Sequence, residues 1–303
     1  MKALVIGYGS IGQRHARLLA AMGLEVAVVS RRHQDGVRVY ATLDDGLREW
    51  RPGYVVIASR TSEHQRDLAA LAGAGFAGIV LVEKPAMKQV SPMPENKFAR
   101  AYVGYNIRFN PIVRRLKSLL SQVTVHTAHI MVGQYLPDWR PGSDYRVGYS
   151  AIRKEGGGVL RDLSHELDYA NWLFGGWIHL TALGGSFSDL EIDSDDVFSV
   201  LLTTRFCPVV TVQMNYLDQP ARREFLAQTD RGPVHADFIR ATLNFNGETE
   251  YFQASVDQTY VAQHEAAISG HDETICTLNE GLDLVRMIDA AETASESRIW
   301  ARV

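Results

Sequence analysis

The apolar run Ala3-Leu4-Val5-Ile6 leads directly into Gly7-Tyr8-Gly9-Ser10-Ile11-Gly12, and Gln13-Arg14-His15-Ala16-Arg17-Leu18-Leu19 follows with helical character. A buried strand, a G-x-G-x-x-G turn and a helix, in that order, constrain this chain more than any of its other features. The first glycine permits the tight turn, the second lets backbone approach a pyrophosphate, and the third lets helix and strand pack closely. The helix N-terminus adds N–H groups and partial positive charge. In this context the motif reads as a dinucleotide site formed by Gly7, Gly9, Ser10, Ile11 and Gly12, the alternative being a glycine-rich turn that holds no ligand.

The following segment alternates strand and helix. Strands are expected at Leu24–Val29, Tyr54–Ala58, Gly78–Val82 and Tyr102–Tyr105, with a helix over His64–Ala74. Such alternation specifies a parallel sheet covered by helices, with ligands at the strand C-termini. The stretch around Ser91-Pro92-Met93-Pro94 is loop-like and leaves little room for a long helix. Later segments change character. Val123–Met131, Val197–Thr204, Val209–Tyr216, Arg223–Gln228, Ala241–Phe245 and Thr249–Phe252 alternate apolar with polar residues, as half-exposed antiparallel strands do. One helix, about Asp162–Phe174, interrupts them, and another, Leu282–Ala294, closes the series. The expected fold is therefore α/β: a Rossmann domain over 1–106, then an α+β domain over 107–303 with a large, mostly antiparallel open sheet.

A chain of 303 residues with 46% hydrophobic and 22% charged residues suits two soluble globular domains. The net charge of −4 gives no general attraction to nucleic acid or anionic membrane. No apolar stretch approaches the ~20 residues that span a bilayer. Met1-Lys2 leads straight into the first strand without a signal-peptide pattern. Cys207 and Cys276, the only cysteines, lie far apart and read as reduced thiols of a cytoplasmic protein.

The second strand ends at Ser30-Arg31-Arg32, where a site selecting NAD usually carries Asp or Glu for the ribose 2′-hydroxyl. A hydroxyl and two guanidiniums suit a 2′-phosphate instead, so NADP is the expected cofactor, with NAD as the alternative. Glu83-Lys84-Pro85 follows the Gly78–Val82 strand. A lysine at that strand end points into the crevice above the sheet, where it suits proton transfer to a substrate oxygen. The segment Gly156-Gly157-Gly158-Val159-Leu160-Arg161-Asp162-Leu163-Ser164-His165-Glu166 brings backbone close to something and then starts a helix. Asp162, His165 and Glu166 at i, i+3 and i+4 can share one face, and Asp162 can alternatively cap the helix. No further ligand cluster accompanies them, so no metal is expected.

Ahead of that helix, Trp139–Arg161 holds five positive charges (Arg140, Arg146, Arg153, Lys154, Arg161) against Asp144 and Glu155, with Trp139, Tyr145 and Tyr149 interleaved. Aromatic faces and guanidiniums together suit a clamp on an anionic sugar derivative, such as a nucleotide-activated sugar or sugar acid. Contacts to a partner subunit, or simple solvation of a charged loop, are the competing explanations.

Taken together, these residues resemble the glucose–fructose oxidoreductase/inositol dehydrogenase (Gfo/Idh/MocA) family. The resemblance runs over Gly7–His15, Val55–Thr61 with His64, Glu83-Lys84-Pro85, Gly104–Pro111, the triple-glycine helix and the terminal Gly281–Ser297 helix. It implies a nicotinamide cofactor and reversible oxidation of a hydroxyl on a sugar, cyclitol or nucleotide-sugar derivative. It further implies a homo-oligomer, dimer or tetramer, formed through the C-terminal sheet. By position, Lys84 is the implied acid/base, with Asp162 and His165 at the substrate. Ser59, Arg60, Thr61, His64, Glu83 and Asn106 are implied along the cofactor, and Arg108 joins Trp139, Arg140, Tyr145 and Tyr149 as a substrate contact. Two departures stand out: Asp162 and His165 are one residue closer than the commoner D-x-x-x-H spacing, and the stretch Lys84–Gly104 is short. A silent nucleotide-binding sensor, or a lyase or hydrolase recycling bound NAD, are the competing functional classes.

Overall fold

The computed structural model describes residues 1–31, 36–253 and 255–303. It divides into two compact units, Met1–Phe109 with Ser255–Val285, and Asn110–Ala254 with Arg286–Val303. The segment 255–285, which the sequence division at 106/107 groups with the second half, thus folds with the first.

The first unit is built on a parallel sheet. Its strands are β1 (Lys2–Ile6), β2 (Glu25–Val29), β3 (Arg38–Tyr40), β4 (Tyr54–Ile57), β5 (Ile79–Val82) and β6 (Arg100–Val103), in the order β3-β2-β1-β4-β5-β6. That is the doubly wound order of a Rossmann fold, with its crevice where the order reverses beside β1. The central strands are apolar on both faces and buried, as a sheet covered on two sides requires. Helices α1 (Ser10–Ala21) and α3 (Thr61–Gly73) make two of the crossovers, and a short turn α2 (Leu43–Asp45) continues helically to Trp50. β3 is a three-residue strand without enough alternation to announce itself in sequence.

Between β5 and β6 no helix forms, in keeping with the short Pro-containing connection. A distant helix, α7 (Val256–Ser269), packs against β5 and α1 instead. Ala266, Ala267 and Ile275 join one apolar core with Val5, Val56, Ile79 and Leu81. The chain then runs along the sheet edge, where Val103 N–H donates to Cys276 O at 2.9 Å. An edge strand is covered and a missing crossover helix replaced by the same segment. The boundaries of α7 are written locally: Ser255 and Gln258 form a reciprocal capping box, and Gly270 ends the helix at φ +73°.

The second unit contains α4 (Pro111–Leu120), α5 (Val159–Asp162), α6 (His165–Leu173) and nine strands. These are β7 (Val125–Gly133), β8 (Trp177–Gly185), β9 (Val197–Thr204), β10 (Val210–Asn215), β11 (Arg222–Thr229), β12 (Gly232–Asp237), β13 (Thr242–Phe245), β14 (Glu248–Tyr251) and β15 (Ala301–Arg302). Their order is β14-β13-β12-β11-β7-β10-β9-β8-β15, antiparallel throughout except for the parallel pair β7–β10. Strand β11 shows the alternation plainly: Phe225 and Ala227 are buried while Leu226 and Gln228 face out. Phe225 stacks on Phe174, just past α6, at 6.2 Å between ring centroids. The last helix, α8 (Leu278–Ser297), is longer at both ends than the apolar spacing indicated.

The expected single helix Asp162–Phe174 is two. Leu163 and Ser164 break it, so Asp162 is the last residue of α5 and not the cap of α6.

Candidate functional site

At the end of β1, Gly7 has φ +89°, and a side chain there would lie 2.7 Å from Ala58 O. A Cβ on Gly12 would collide with Gly7 O. Both glycines are therefore required by the chain's own packing. Gly9 is different. Its φ of −75° suits any residue, and an added Cβ would meet nothing within 4 Å. It is also the N-cap of α1, which no side chain caps among the described residues. An uncapped helix N-terminus with open space above its first residue fits the pyrophosphate of a dinucleotide.

Around this gap the strand ends are fastened to one another. Ser59 Oγ donates to Asp67 at 2.6 Å, and buried Thr61 opens α3 after exposed Arg60. Both ring nitrogens of buried His64 lie against carbonyls, Pro85 O at 3.0 Å and Ser59 O at 3.1 Å. Burial pushes its pKa down against the pull of those two carbonyls. His64 thus lies between the β4 and β5 loops, and as a neutral ring it donates to one of the two carbonyls. Ser30 is half-buried with its N–H on Tyr40 O, Arg31 is exposed, and Arg32 lies outside the described residues.

Lys84 is half-buried at the end of β5. Glu83 beside it is buried, accepting from Lys84 N at 3.2 Å and contacting His15 Nε2 at 2.8 Å. Gly104 leaves room for that carboxylate, since a Cβ there would approach Glu83 Oε1 at 2.8 Å. Asn106 is buried and donates to Thr259 Oγ1 at 2.6 Å. Arg108 corrects its expected substrate role: it is 1% exposed, and its guanidinium bonds Glu280 Oε1 at 3.0 Å. Glu280 in turn caps α8 reciprocally with Thr277. Despite burial, Arg108 and Thr277 hold the Glu280 carboxyl below the usual range.

In the second unit, the triple glycine has an internal explanation. A Cβ on Gly157 would strike Tyr149 O, and one on Gly158, at φ +117°, would strike the Asp195 carboxylate. Asp195 accepts from Leu160 N at 2.9 Å, and burial raises its pKa. Asp162 is partly exposed and accepts from Tyr216 Oη at 2.7 Å. Burial first, and Asp162 second, push the Tyr216 phenol well above its ordinary value, so it remains a donor. Trp139 meets Tyr216 edge-on, ring centroids 5.2 Å apart. His165 is partly exposed at the start of α6, whereas Glu166 is fully buried against Arg223 Nε at 2.9 Å. Glu166 is thus a structural ion pair. Sequence reading missed Tyr216, which carries no motif and is brought to Asp162 only by the sheet.

The cationic loop divides in two. Arg146 is held by Asp144 and Glu191, and Arg161 is held by Glu292, so both are committed within the unit. Arg140 is exposed and lines an open cleft of about 200 Å³ with Trp139 and Tyr145. Tyr149 lies outside that lining and donates its hydroxyl to Gly156 O at 2.7 Å. No group of three or more His, Cys, Asp or Glu among the described residues could hold a metal ion.

Comparison with known proteins agrees with this architecture. Residues 1–97 match the oxidoreductase family with an NAD-binding Rossmann fold, and residues 113–235 match the GFO/IDH/MocA C-terminal domain. A sequence search of curated proteins returns no match. Among solved structures, GenD2 from gentamicin A biosynthesis, in complex with NAD, superposes with a TM-score of 0.82 at 21% identity, covering 100% of this chain and 96% of its own. The WlbA dehydrogenase of Bordetella pertussis, in complex with NADH and UDP-GlcNAcA, gives 0.84 at 17%, covering 100% and 97%. Levoglucosan dehydrogenase with NADH and levoglucosan gives 0.85 at 16%, covering 100% and 99%. Identities this low speak to fold, while the two family matches speak to descent. The chain belongs to the Gfo/Idh/MocA family of oxidoreductases, with an N-terminal NAD-binding Rossmann domain.

Proposed function

We propose that this oxidoreductase interconverts a hydroxyl and a keto carbon on a sugar-like substrate, with Lys84 as its acid/base. The observation that carries the reading is the gap at Gly9, open above an uncapped helix whose strand-end neighbours include Lys84. Gly7, Gly9, Ser10, Ile11 and Gly12 would hold the pyrophosphate, and Ser30 and Arg31 would face the adenosine ribose. With hydroxyl and guanidinium there in place of a carboxylate, NADP is the favoured form. When bound, the nicotinamide supplies hydride exchange. Lys84 Nζ accepts the proton as a substrate hydroxyl becomes a ketone and returns it in the reverse direction.

Asp162 and His165 would orient the substrate, Asp162 itself held by Tyr216. Arg140, Trp139 and Tyr145 would receive the rest of the molecule. Arg140 becomes the residue on which anionic-substrate selectivity rests, because it lines the cleft with Trp139 and Tyr145 while Arg146 and Arg161 are committed to internal carboxylates. The sugar-type ligands of the solved relatives support this class. Self-association through the outer face of the nine-stranded sheet, where Leu183 and Leu226 are exposed, completes the reading. No helix among the described residues is long and apolar enough to cross a membrane.

The test is turnover on neutral, carboxylated and nucleotide-linked sugars, followed by Lys84→Ala on whichever is used. The variant should lose about 10²–10⁴-fold in kcat, the usual scale for an acid/base, and keep its affinity for NADH. Undiminished turnover would remove Lys84 from the mechanism.

A further inference from the structure

Four buried side chains from four separate stretches of the first unit form one line. Tyr54 Oη lies 2.8 Å from His264 Nδ1, His264 Nε2 lies 2.9 Å from His15 Nδ1, and His15 Nε2 lies 2.8 Å from Glu83 Oε1. Tyr54, His264 and His15 are each 0% exposed and Glu83 is 7% exposed. The rings also meet edge-on, His15 against His264 at 5.0 Å and Tyr54 against His264 at 5.7 Å between centroids. Glu83 ends the line on the backbone N–H of Lys84.

The donors and acceptors make the line continuous in either sense of its two histidine tautomers. The Glu83 carboxylate is an acceptor only, so His15 presents Nε2–H to it. His15 Nδ1 and His264 Nε2 then share one hydrogen between the two rings, whichever ring supplies it. His264 Nδ1 and the Tyr54 hydroxyl share the next hydrogen in the same sense. Every ring nitrogen in the line has a partner. Burial first, and His15 second, hold the His264 pKa well below its ordinary value. The other groups facing the line are Tyr260, whose ring lies edge-on to His15, with Arg14 above that ring, Asp257 beside Arg14, and Tyr102 near Tyr54. The far end has no access to solvent, since Tyr54 is fully buried, so the line cannot pass protons through.

We infer that Tyr54 and His264 are positioning residues, acting through His15 to fix the Glu83 carboxylate beside Lys84. A second imidazole bonded to the outer nitrogen of His15 sets its tautomer and ring plane, as outer hydrogen bonds do for ligating and catalytic histidines. The helix that replaces the missing crossover therefore contributes to the site as well as to the core. This deepens the reading of Lys84 as acid/base and rests on it for its catalytic consequence, while the line itself stands on the geometry above.

The experiment is competitive acetic anhydride labelling of the intact apo protein, mapped by mass spectrometry, with exposed Lys97 as internal reference. Met at 264 removes both ring nitrogens, whereas the Nε2 amide of Gln can still donate to His15 Nδ1. His264→Met should change the Lys84-to-Lys97 labelling ratio by about threefold or more, the size of half a pKa unit. His264→Gln should restore the wild-type ratio. A merely structural His264 would lower Tm in both variants and leave the ratio unmoved, and that result would overturn the proposal. Should His264→Met not fold, ¹⁵N-imidazole spectra of the wild type decide the matter. A slowly exchanging ring N–H shared between His15 and His264 upholds the line, and a freely averaging His264 ring refutes it. Neither readout uses turnover, so failure of the line and failure of the Lys84 mechanism are distinguishable.

Discussion

Two glycine clusters, one in each unit, look alike in sequence and are opposite in physics. In Gly7–Gly12 the outer glycines are required by the protein's own backbone, while the middle one, Gly9, faces empty space. In Gly156–Gly158 the space beside Gly157 and Gly158 is already filled, by Tyr149 O and by the Asp195 carboxylate. The first cluster leaves a vacancy that a ligand can enter. The second closes a loop over a buried carboxylate and thereby sets where α5 begins. A run of glycines signals close approach, and only the neighbours of the absent Cβ tell whether the approaching group belongs to the protein.

The sharpest way to break this contrast is to fill the second cluster. Gly158→Ala forces a left-handed φ on a non-glycine residue and drives its methyl into Asp195. It should cost about 3 kcal/mol or more, read as a large fall in Tm, with NADH affinity retained by any folded fraction. A Tm within a degree or two of wild type would mean that the loop is not packed as described.

A smaller effect separates the buried polar line of the first unit from ordinary core. Unfolded, His264 titrates near 6.5, whereas folded it sits well below that value. Between those two values the unfolded chain binds a proton that the folded one refuses. Its contribution is therefore complete above about pH 6.5 and is lost as pH falls, by at most about 1.4 kcal/mol per pH unit. Denaturant midpoints measured between pH 8 and 5 should fall on acidification, and His264→Gln should flatten that slope. An unchanged slope would show that the ring is already protonated in the folded protein.

Much of the first unit was legible because its signals are local. The strand–glycine–helix order, the Pro-containing gap after β5 and the Glu83-Lys84 strand end all lie within short windows. Helix α7 was not legible by apolar periodicity, although its capping box and Gly270 were present. Its buried residues include Thr259, Gln263 and His264, so no clean apolar stripe marks the side that packs. The pairing of His264 with His15 spans 249 positions and leaves no trace in spacing. The single helix Asp162–Phe174 failed for a local reason, the break at Leu163-Ser164, which the helical pattern concealed. Arg161 read as a binding residue from its charge, and Arg108 from the family resemblance, because their internal partners, Glu292 and Glu280, are not visible in sequence.

The central claim is that the space above Gly9 belongs to the cofactor, and Gly9→Val tests it most directly. A Cβ there meets nothing within 4 Å beyond its chain neighbours, so stability should change by about 1 kcal/mol, the scale of an N-cap substitution. Fluorescence titration should show saturable binding of both reduced cofactors to the wild type, NADPH the tighter. The valine variant should bind each at least about tenfold more weakly, a loss of about 1.4 kcal/mol. Unaltered affinity in a fully folded Gly9→Val protein would contradict the account, because the gap at the head of α1 would then hold no pyrophosphate.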